Sequence, residues 1–263
     1  FRNDWNQERN IPALLEILAI PYSGADPMGI VLSNDKALVS AAARLRGVPV
    51  PDHVFIDLHA DPLTLPARYP ALIKPNMAAG RFGITEQSVV HHAAEADAYL
   101  RWLTPQLDVP EALAQDFLPG AEYTLGVIGN PETGLRVLPP LEIDWSALDP
   151  GLPRILTHAS KADPESPYWK QLAFRRADLD EVTKAHLVEG CARLFGRLGF
   201  RDYARFDFRN GADGLPRLLD ANTNPTWYKN GKLALMAEWE GYAYHQLLEM
   251  ILEAAMQRYG LFR

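Results

Sequence analysis

Cysteine is almost missing: Cys191 is the single one in 263 residues. No internal disulfide and no cysteine-based metal cluster can form, a pattern that suits a reducing compartment. No stretch approaches the roughly 18 apolar residues of a membrane span, and no basic-then-apolar leader is seen. Nor is there a run of Lys or Arg. The 26 basic and 33 acidic side chains leave a formal net charge of −7, whereas a nucleic-acid or anionic-membrane surface needs a concentrated positive field. The expected partners are therefore small molecules, with no nucleic acid and no membrane. The expected location is the cytoplasm, and a homodimer stays open. Internal repeats and low-complexity tracts are absent as well. What is present is an ordinary globular composition, 48% apolar and 22% charged, enough for one large or two to three small domains. The chain begins at Phe1 and enters Arg2-Asn3-Asp4-Trp5 with no strand before it.

Periodicity gives the coarse order of elements. Apolar residues at helical spacing predict helices over Ile11 to Ala19, Ser33 to Arg46 (with Ser33 or Asn34 as N-cap), Glu86 to Leu103, Ala177 to Leu198 and Tyr242 to Arg258. In the fourth of these, Leu187, Cys191, Leu194 and Leu198 share a face, which predicts a buried Cys191. The last has an expected buried stripe of Leu247, Leu248, Ile251, Leu252, Ala255 and Tyr259. Strands are expected at Val54 to Ile56, Ala71 to Lys74, Phe117-Leu118, Glu122 to Ile128 and Arg136 to Pro140. The polar, Pro-rich stretch from Asp144 to Arg176 reads as a long loop. His91 and His92 fall in a helical stretch, where adjacent side chains point apart, so they are not expected to share a metal. Both element types with antiparallel hairpins indicate an α+β fold.

The most informative segment is Tyr203 to Arg209 followed, after Gly211 to Gly214, by Leu215 to Asn222. Alternation puts Phe206 and Phe208 on one face and Arg205 and Asp207 on the other. A four-residue turn would set Arg205 opposite Asp220, with Asp207 diagonal to them and Asn222 on the same face. Two carboxylates, a carboxamide and a guanidinium so gathered suit a hard divalent cation. A solvent-exposed sheet face with a surface salt bridge shows the same alternation.

Several segments, in order, resemble the ATP-grasp superfamily, and most nearly its D-alanyl-D-alanine ligases. They are Asn34-Asp35-Lys36-Ala37, Ile73-Lys74-Pro75 with the loop to Gly83, Gln115 to Glu122, Ser160-Lys161, Ala204 to Asp207, and Asp220-Ala221-Asn222-Thr223-Asn224-Pro225. The resemblance implies an ATP-grasp fold, two α+β lobes gripping ATP. It implies a remnant of an N-terminal substrate domain at 1–33, a small lobe at 34–115 and a C-terminal lobe with the metal site at 116–263. By that resemblance Lys36 and Lys74 hold phosphates, and Gly80, Arg81 and Gly83 belong to the loop that closes over them. Gln115, Asp116, Phe117 and Leu118 form the segment that reads adenine, and Glu122 accepts the ribose hydroxyls. Lys161 is the lid lysine, Arg205 stabilises the oxyanion, and Asp207, Asp220 and Asn222 hold one or two Mg²⁺ (or Mn²⁺) ions.

The implied activity is an ATP-dependent carboxylate–amine ligase that joins amino acids through an acyl phosphate. Departures from the family cluster at the amino-acid end. Gly80 and Arg81 stand where the family has serines, Ala162 stands where it has an aromatic residue after the lid lysine, and Pro225-Thr226-Trp227 replaces Pro-Gly-Met. Another amino acid, a peptide or a natural-product carboxylate is thus an alternative substrate. A nucleotide-binding domain without turnover is a second alternative, disfavoured by the retention of Arg205, Asp207, Asp220 and Asn222.

Overall fold

The computed structural model describes residues 7–77 and 82–261. Helix starts follow side-chain caps more than apolar spacing. α1 (Asn10–Ile17) buries only Pro12, while Leu14, Ile17 and Leu18 stay exposed. α2 (Pro27–Asn34), unforeseen from the sequence, is started by the Asp26 carboxylate, which accepts from Gly29 N–H at 2.6 Å, and by Pro27 at its first position. That helix consumes the two residues expected to cap the next one. α3 (Lys36–Leu45) is capped instead by Asp35, which accepts from Leu38 N–H at 2.9 Å.

A four-stranded antiparallel sheet comes next, built from β1 (His53–Asp57), β2 (Ala71–Pro75), β3 (Val89–Val90) and β4 (Glu111–Asp116) in the order β1-β4-β2-β3. β4 was expected later, at Phe117-Leu118. Its Glu-Ala-Leu-Ala-Gln-Asp composition favours helix, yet it lies between β1 and β2 with its central residues buried, so packing overrides propensity. The helix expected over Glu86 to Leu103 is divided into a 3₁₀ turn at Glu86–Ser88, β3, and α4 (Ala93–Leu103). His92 caps α4, its Nδ1 accepting from Glu95 N–H at 3.3 Å, so the His91-His92 pair precedes the helix. Leu100 and Leu103 of α4 close the core over Ile56, Ile73 and Ala112.

The second sheet joins β5 (Glu122–Asn130), β7 (Leu141–Asp144), β8 (Ala173–Arg176), β9 (Tyr203–Asn210) and β10 (Pro216–Thr223) in the order β10-β9-β5-β7-β8, with β6 (Gly134–Val137) on β5. The loop expected over Asp144 to Arg176 is thus partly ordered: it contains α5 (Ala159–Ala162), α6 (Pro167–Gln171), anchored by buried Tyr168, and β8. β8 is an edge strand with all four residues exposed, so no alternation marks it.

The large sheet separates two cores. On one face, Leu187, Cys191, Leu194 and Phe195 of α7 (Glu181–Arg197), together with Val39, Ala42 and Ala43 of α3, cover Leu125, Phe206 and Phe208. Cys191 is fully buried, as its helical position predicts. Fully burying a side chain such as Phe206 is worth about 1.5–3 kcal/mol. On the other face, Leu233 and Met236 of α8 (Lys232–Glu238) and Leu247 and Ile251 of α9 (Tyr244–Arg258) pack on Ile128, Leu141 and Tyr203. A Cβ at Gly126 would lie 2.6 Å from Leu233 Cδ2, so glycine permits this approach of α8 to β5. Leu252 of α9 and Tyr259 just after it are exposed, and Ala254 is buried instead.

The β9–β10 register differs from the simple hairpin expected. Arg205 pairs with Asn222 and Asp207 with Asp220, and the register shifts by one residue between Leu218 and Asp220. The extra residue, Leu219, is a bulge, and a bulge reverses side-chain alternation. Leu218 therefore points into the α7 core, while Asp220 and Asn222 line the opposite, polar side.

Candidate active site

Between the two sheets lies a cavity of ≈ 340 Å³, lined by Lys36, Lys74, Gln115, Glu122, Arg205, Asp207, Asp220 and Asn222. Each comes from a regular element. Lys74 is on β2, Gln115 on β4, Glu122 on β5, and the last four on the bulged β9–β10 hairpin. Lys36, the first residue of α3, reaches back across Asn76. Its Nζ donates to Asn76 O at 3.4 Å, and Asn76 is held by Ala37 N–H to its Oδ1 and by its own Nδ2 to Glu111 Oε2, both 3.0 Å.

Asp207 is the hub of the polar face. Arg205 Nη2 donates to its Oδ2 at 2.9 Å, Asn222 Nδ2 at 3.1 Å, and Thr124 Oγ1 to its Oδ1 at 2.7 Å. Lys232 Nζ stands 4.0 Å from Oδ1 and donates to Thr124 Oγ1 at 2.9 Å. Burial alone would raise the carboxyl's pKa, but Arg205, Lys232 and the hydrogen bonds outweigh it and hold Asp207 well below the usual carboxylate range. Asp207 therefore stays ionised at any physiological pH. Among the described residues no group of three or more His, Cys, Asp or Glu side chains is placed to hold a metal. Two carboxylates and a carboxamide are instead the incomplete oxygen set that suits Mg²⁺ sharing its ligands with phosphate and water.

Lys74 Nζ donates to the carbonyl of the bulge residue Leu219 at 3.2 Å, so the same bulge that redirects Asp220 also positions this lysine. Burial lowers the Lys74 pKa from 10.5 to about 8, with Lys36 adding to the fall and Asp220 and Glu122 opposing it. At the other end of the row, Glu122 is paired with Arg209, Nη1 to Oε2 at 3.4 Å, both side chains being almost fully buried. Burial pulls the Arg209 pKa down against the attraction of Glu122.

The other expected residues are less directly placed. Asp116 and Phe117 leave the end of β4, their N–H groups donating to Asp52 O at 2.9 Å and Pro70 O at 3.1 Å. The Phe117 ring lies 5.1 Å from the Arg209 guanidinium, and Leu118 is buried. Gly83 sits at φ +72, where a Cβ would lie 2.6 Å from Pro75 Cγ, and its carbonyl accepts from Tyr99 O–H at 2.7 Å. None of Gly83, Asp116, Phe117 and Leu118 is in the cavity lining. Gly80 and Arg81 lie outside the described residues, as does the side chain of Lys161, whose backbone belongs to α5. Sequence reasoning missed Thr124, Arg209 and Lys232. Arg209 continues the 205, 207 alternation and could have been read from it. Thr124 and Lys232 are brought in by strand pairing and by α8, which leave no local signal.

The sequence profile of the family described as "D-ala D-ala ligase C-terminus" matches residues 47–253. The D-alanine--D-alanine ligase of Bordetella petrii is 29% identical over 253 residues, covering 95% of this chain and 73% of that protein. Among solved structures, the D-alanine--D-alanine ligase of Bacillus anthracis complexed with ATP has a TM-score of 0.74 at 20% identity, over 97% of this chain and 76% of that one. The VanG D-Ala:D-Ser ligase of Enterococcus faecalis has a TM-score of 0.72 at 21% identity, over 95% and 69%. No helix among the described residues is long and apolar enough to cross a membrane. The two-sheet architecture is the ATP-grasp fold, and the chain belongs to the D-Ala-D-Ala ligase C-terminal family of ATP-grasp enzymes, which form carbon–nitrogen bonds.

Proposed function

We propose that this chain joins a carboxylate to an amine at the expense of ATP, through an acyl phosphate. The observation that carries the reading is the convergence of Lys74, Arg205, Asp207, Asp220 and Asn222 on one cavity between the two sheets. Residues 34–115 and 116–263 act as two lobes, with α3 packed on the larger lobe's sheet. Lys36 and Lys74 hold phosphates as compact point charges, assisted by the loop that contains Gly80, Arg81 and Gly83. Gln115, which lines the cavity at the head of the segment running to Leu118, takes the adenine, and Glu122 the ribose. Asp207, Asp220 and Asn222 would hold Mg²⁺, which when bound would neutralise charge on the transferring phosphoryl group.

A substrate carboxylate oxygen attacks the γ-phosphorus and ADP leaves. The amine then attacks the acyl carbon, loses a proton and expels phosphate. Arg205, fixed by Asp207, neutralises the tetrahedral oxygen of that second step, and Lys161 takes the role of the lid lysine. No side-chain nucleophile is required.

Acceptor choice departs from D-alanine in this reading. Thr226 lines the cavity where a Gly is usual in the family, and Trp227 beside it is 42% exposed. A phosphate-release assay over pairs of amino acids and amines tests both levels. Magnesium- and amine-dependent release supports the ligase reading, silence with every pair contradicts it, and efficient turnover of D-alanine as both substrates contradicts the altered acceptor.

A further inference from the structure

The Glu122–Arg209 pair carries an inference that rests on the nucleotide reading above and deepens it. Arg209 is 4% exposed, and three of its contacts fix it. Nε donates to Gly120 O at 3.2 Å, and Nη1 donates to Arg154 O and to Glu122 Oε2, the latter at 3.4 Å. Its guanidinium also lies 5.1 Å from the Phe117 ring centre and 5.8 Å from that of Trp145. The side chain is therefore held in one orientation and cannot turn to water. Its remaining nitrogen, Nη2, is buried with no hydrogen-bond partner among the described residues. An unpaired charged donor in the interior is costly, and such groups mark sites completed by something else. Arg209 lines the same cavity as Glu122.

Position along the strand decides which part of a ligand it meets. Arg209 lies two residues beyond Asp207, about 7 Å along the strand, on the side away from Arg205. It is therefore displaced from the metal-binding and oxyanion groups, toward Glu122 and the Phe117 segment. A carboxylate that only accepts, beside a guanidinium that only donates, matches a hydroxyl group, which both gives and takes a hydrogen bond.

We propose that Arg209 is a specificity-determining residue that reads the ribose edge of the nucleotide: Glu122 accepts the hydroxyl proton while Arg209 Nη2 donates to the hydroxyl oxygen. Arg209 Nη1 also holds the Glu122 carboxylate in orientation for that contact.

Equilibrium calorimetry of Mg-ATP, Mg-2′-deoxy-ATP and Mg-3′-deoxy-ATP with the full chain tests this without reliance on turnover. The wild type should bind ATP about ten-fold more tightly than at least one deoxy analogue, a difference of ~1.4 kcal/mol. In Arg209→Lys, an ammonium can still pair with Glu122 but lacks the fork that reaches the hydroxyl, so the same ratio should fall to about three-fold or less. Arg209→Met should behave alike where circular dichroism shows it folded. An equal loss for all three nucleotides in Arg209→Lys would mean a structural or phosphate-directed role and would overturn the proposal, as would a wild type that does not discriminate. A wild type that binds no Mg-ATP at all overturns the nucleotide reading itself, a result distinct from either.

Discussion

Replacing Lys74 by methionine should weaken Mg-ATP binding, remove a pH dependence from it and stabilise the free protein. Lys74 is 6% exposed, and burial brings its pKa from 10.5 to about 8 against the pull of Asp220 and Glu122. A charge-assisted hydrogen bond to phosphate is worth about 1.5–3 kcal/mol, so Lys74→Met should lose about 10- to 150-fold in affinity near pH 7. The proton sign follows from the same shift. Bound phosphate restores the charged form, so binding between about pH 8 and 10.5 requires uptake of a proton. Wild-type affinity should fall as pH rises through that window, and at pH 8.5 about three-quarters of a proton should be taken up per nucleotide. Calorimetry in two buffers of different ionisation enthalpy counts that proton, and Lys74→Met should show none of this uptake.

Stability moves the other way. The unfolded lysine binds its proton more tightly than the folded one, so this group's destabilising effect is full below about pH 8 and disappears as pH approaches 10.5. At pH 7 the methionine variant should gain up to about 3 kcal/mol, read by urea unfolding. Equal proton uptake in both proteins, or unchanged nucleotide affinity in the variant, would refute the placement of Lys74 against a phosphate.

Other outcomes follow from single features. Asp220→Ala should lower magnesium-dependent turnover by about 100-fold or more with the circular dichroism unchanged, and a loss under three-fold would remove Asp220 from the metal set. Gly126→Ala places a methyl 2.6 Å from Leu233 Cδ2, so melting should show a loss of about 1–3 kcal/mol. Arg258 Nη2 pairs with fully buried Asp202 at 2.8 Å, and Arg258→Met should cost about 3–5 kcal/mol, because the buried carboxylate loses its cation and is left with the neutral donors Gly24 N–H and Asn130 Nδ2. Cys191 is fully buried and burial pushes its thiol pKa up; a thiol reagent should find none in the native protein and one after denaturation.

The sequence carried the site better than it carried the connections. The identities at 205, 207, 220 and 222 were legible because strand alternation is local and because motifs in order pointed to one family. The register that brings them together was not, since the Leu219 bulge carries no turn residue and shows itself only as a shift between Leu218 and Asp220. β4 was hidden by helix-favouring residues buried between two strands, and β8 by the lack of any buried face. α2 had legible caps in Asp26 and Pro27 but little amphipathic pattern around them. Lys232 reaches Thr124 and Asp207 where α8 crosses β5 at Gly126, and helix and strand lie more than a hundred residues apart in sequence, so no local pattern encodes the contact.

The most direct test of the central claim follows oxygen. With Mg-ATP, an amine acceptor and a substrate whose carboxylate carries ¹⁸O, the acyl-phosphate route transfers one labelled oxygen to the released phosphate and leaves the other in the amide. Mass spectrometry of the phosphate should therefore show one ¹⁸O per turnover. Phosphate released without label, its new oxygen coming from water, would contradict the account.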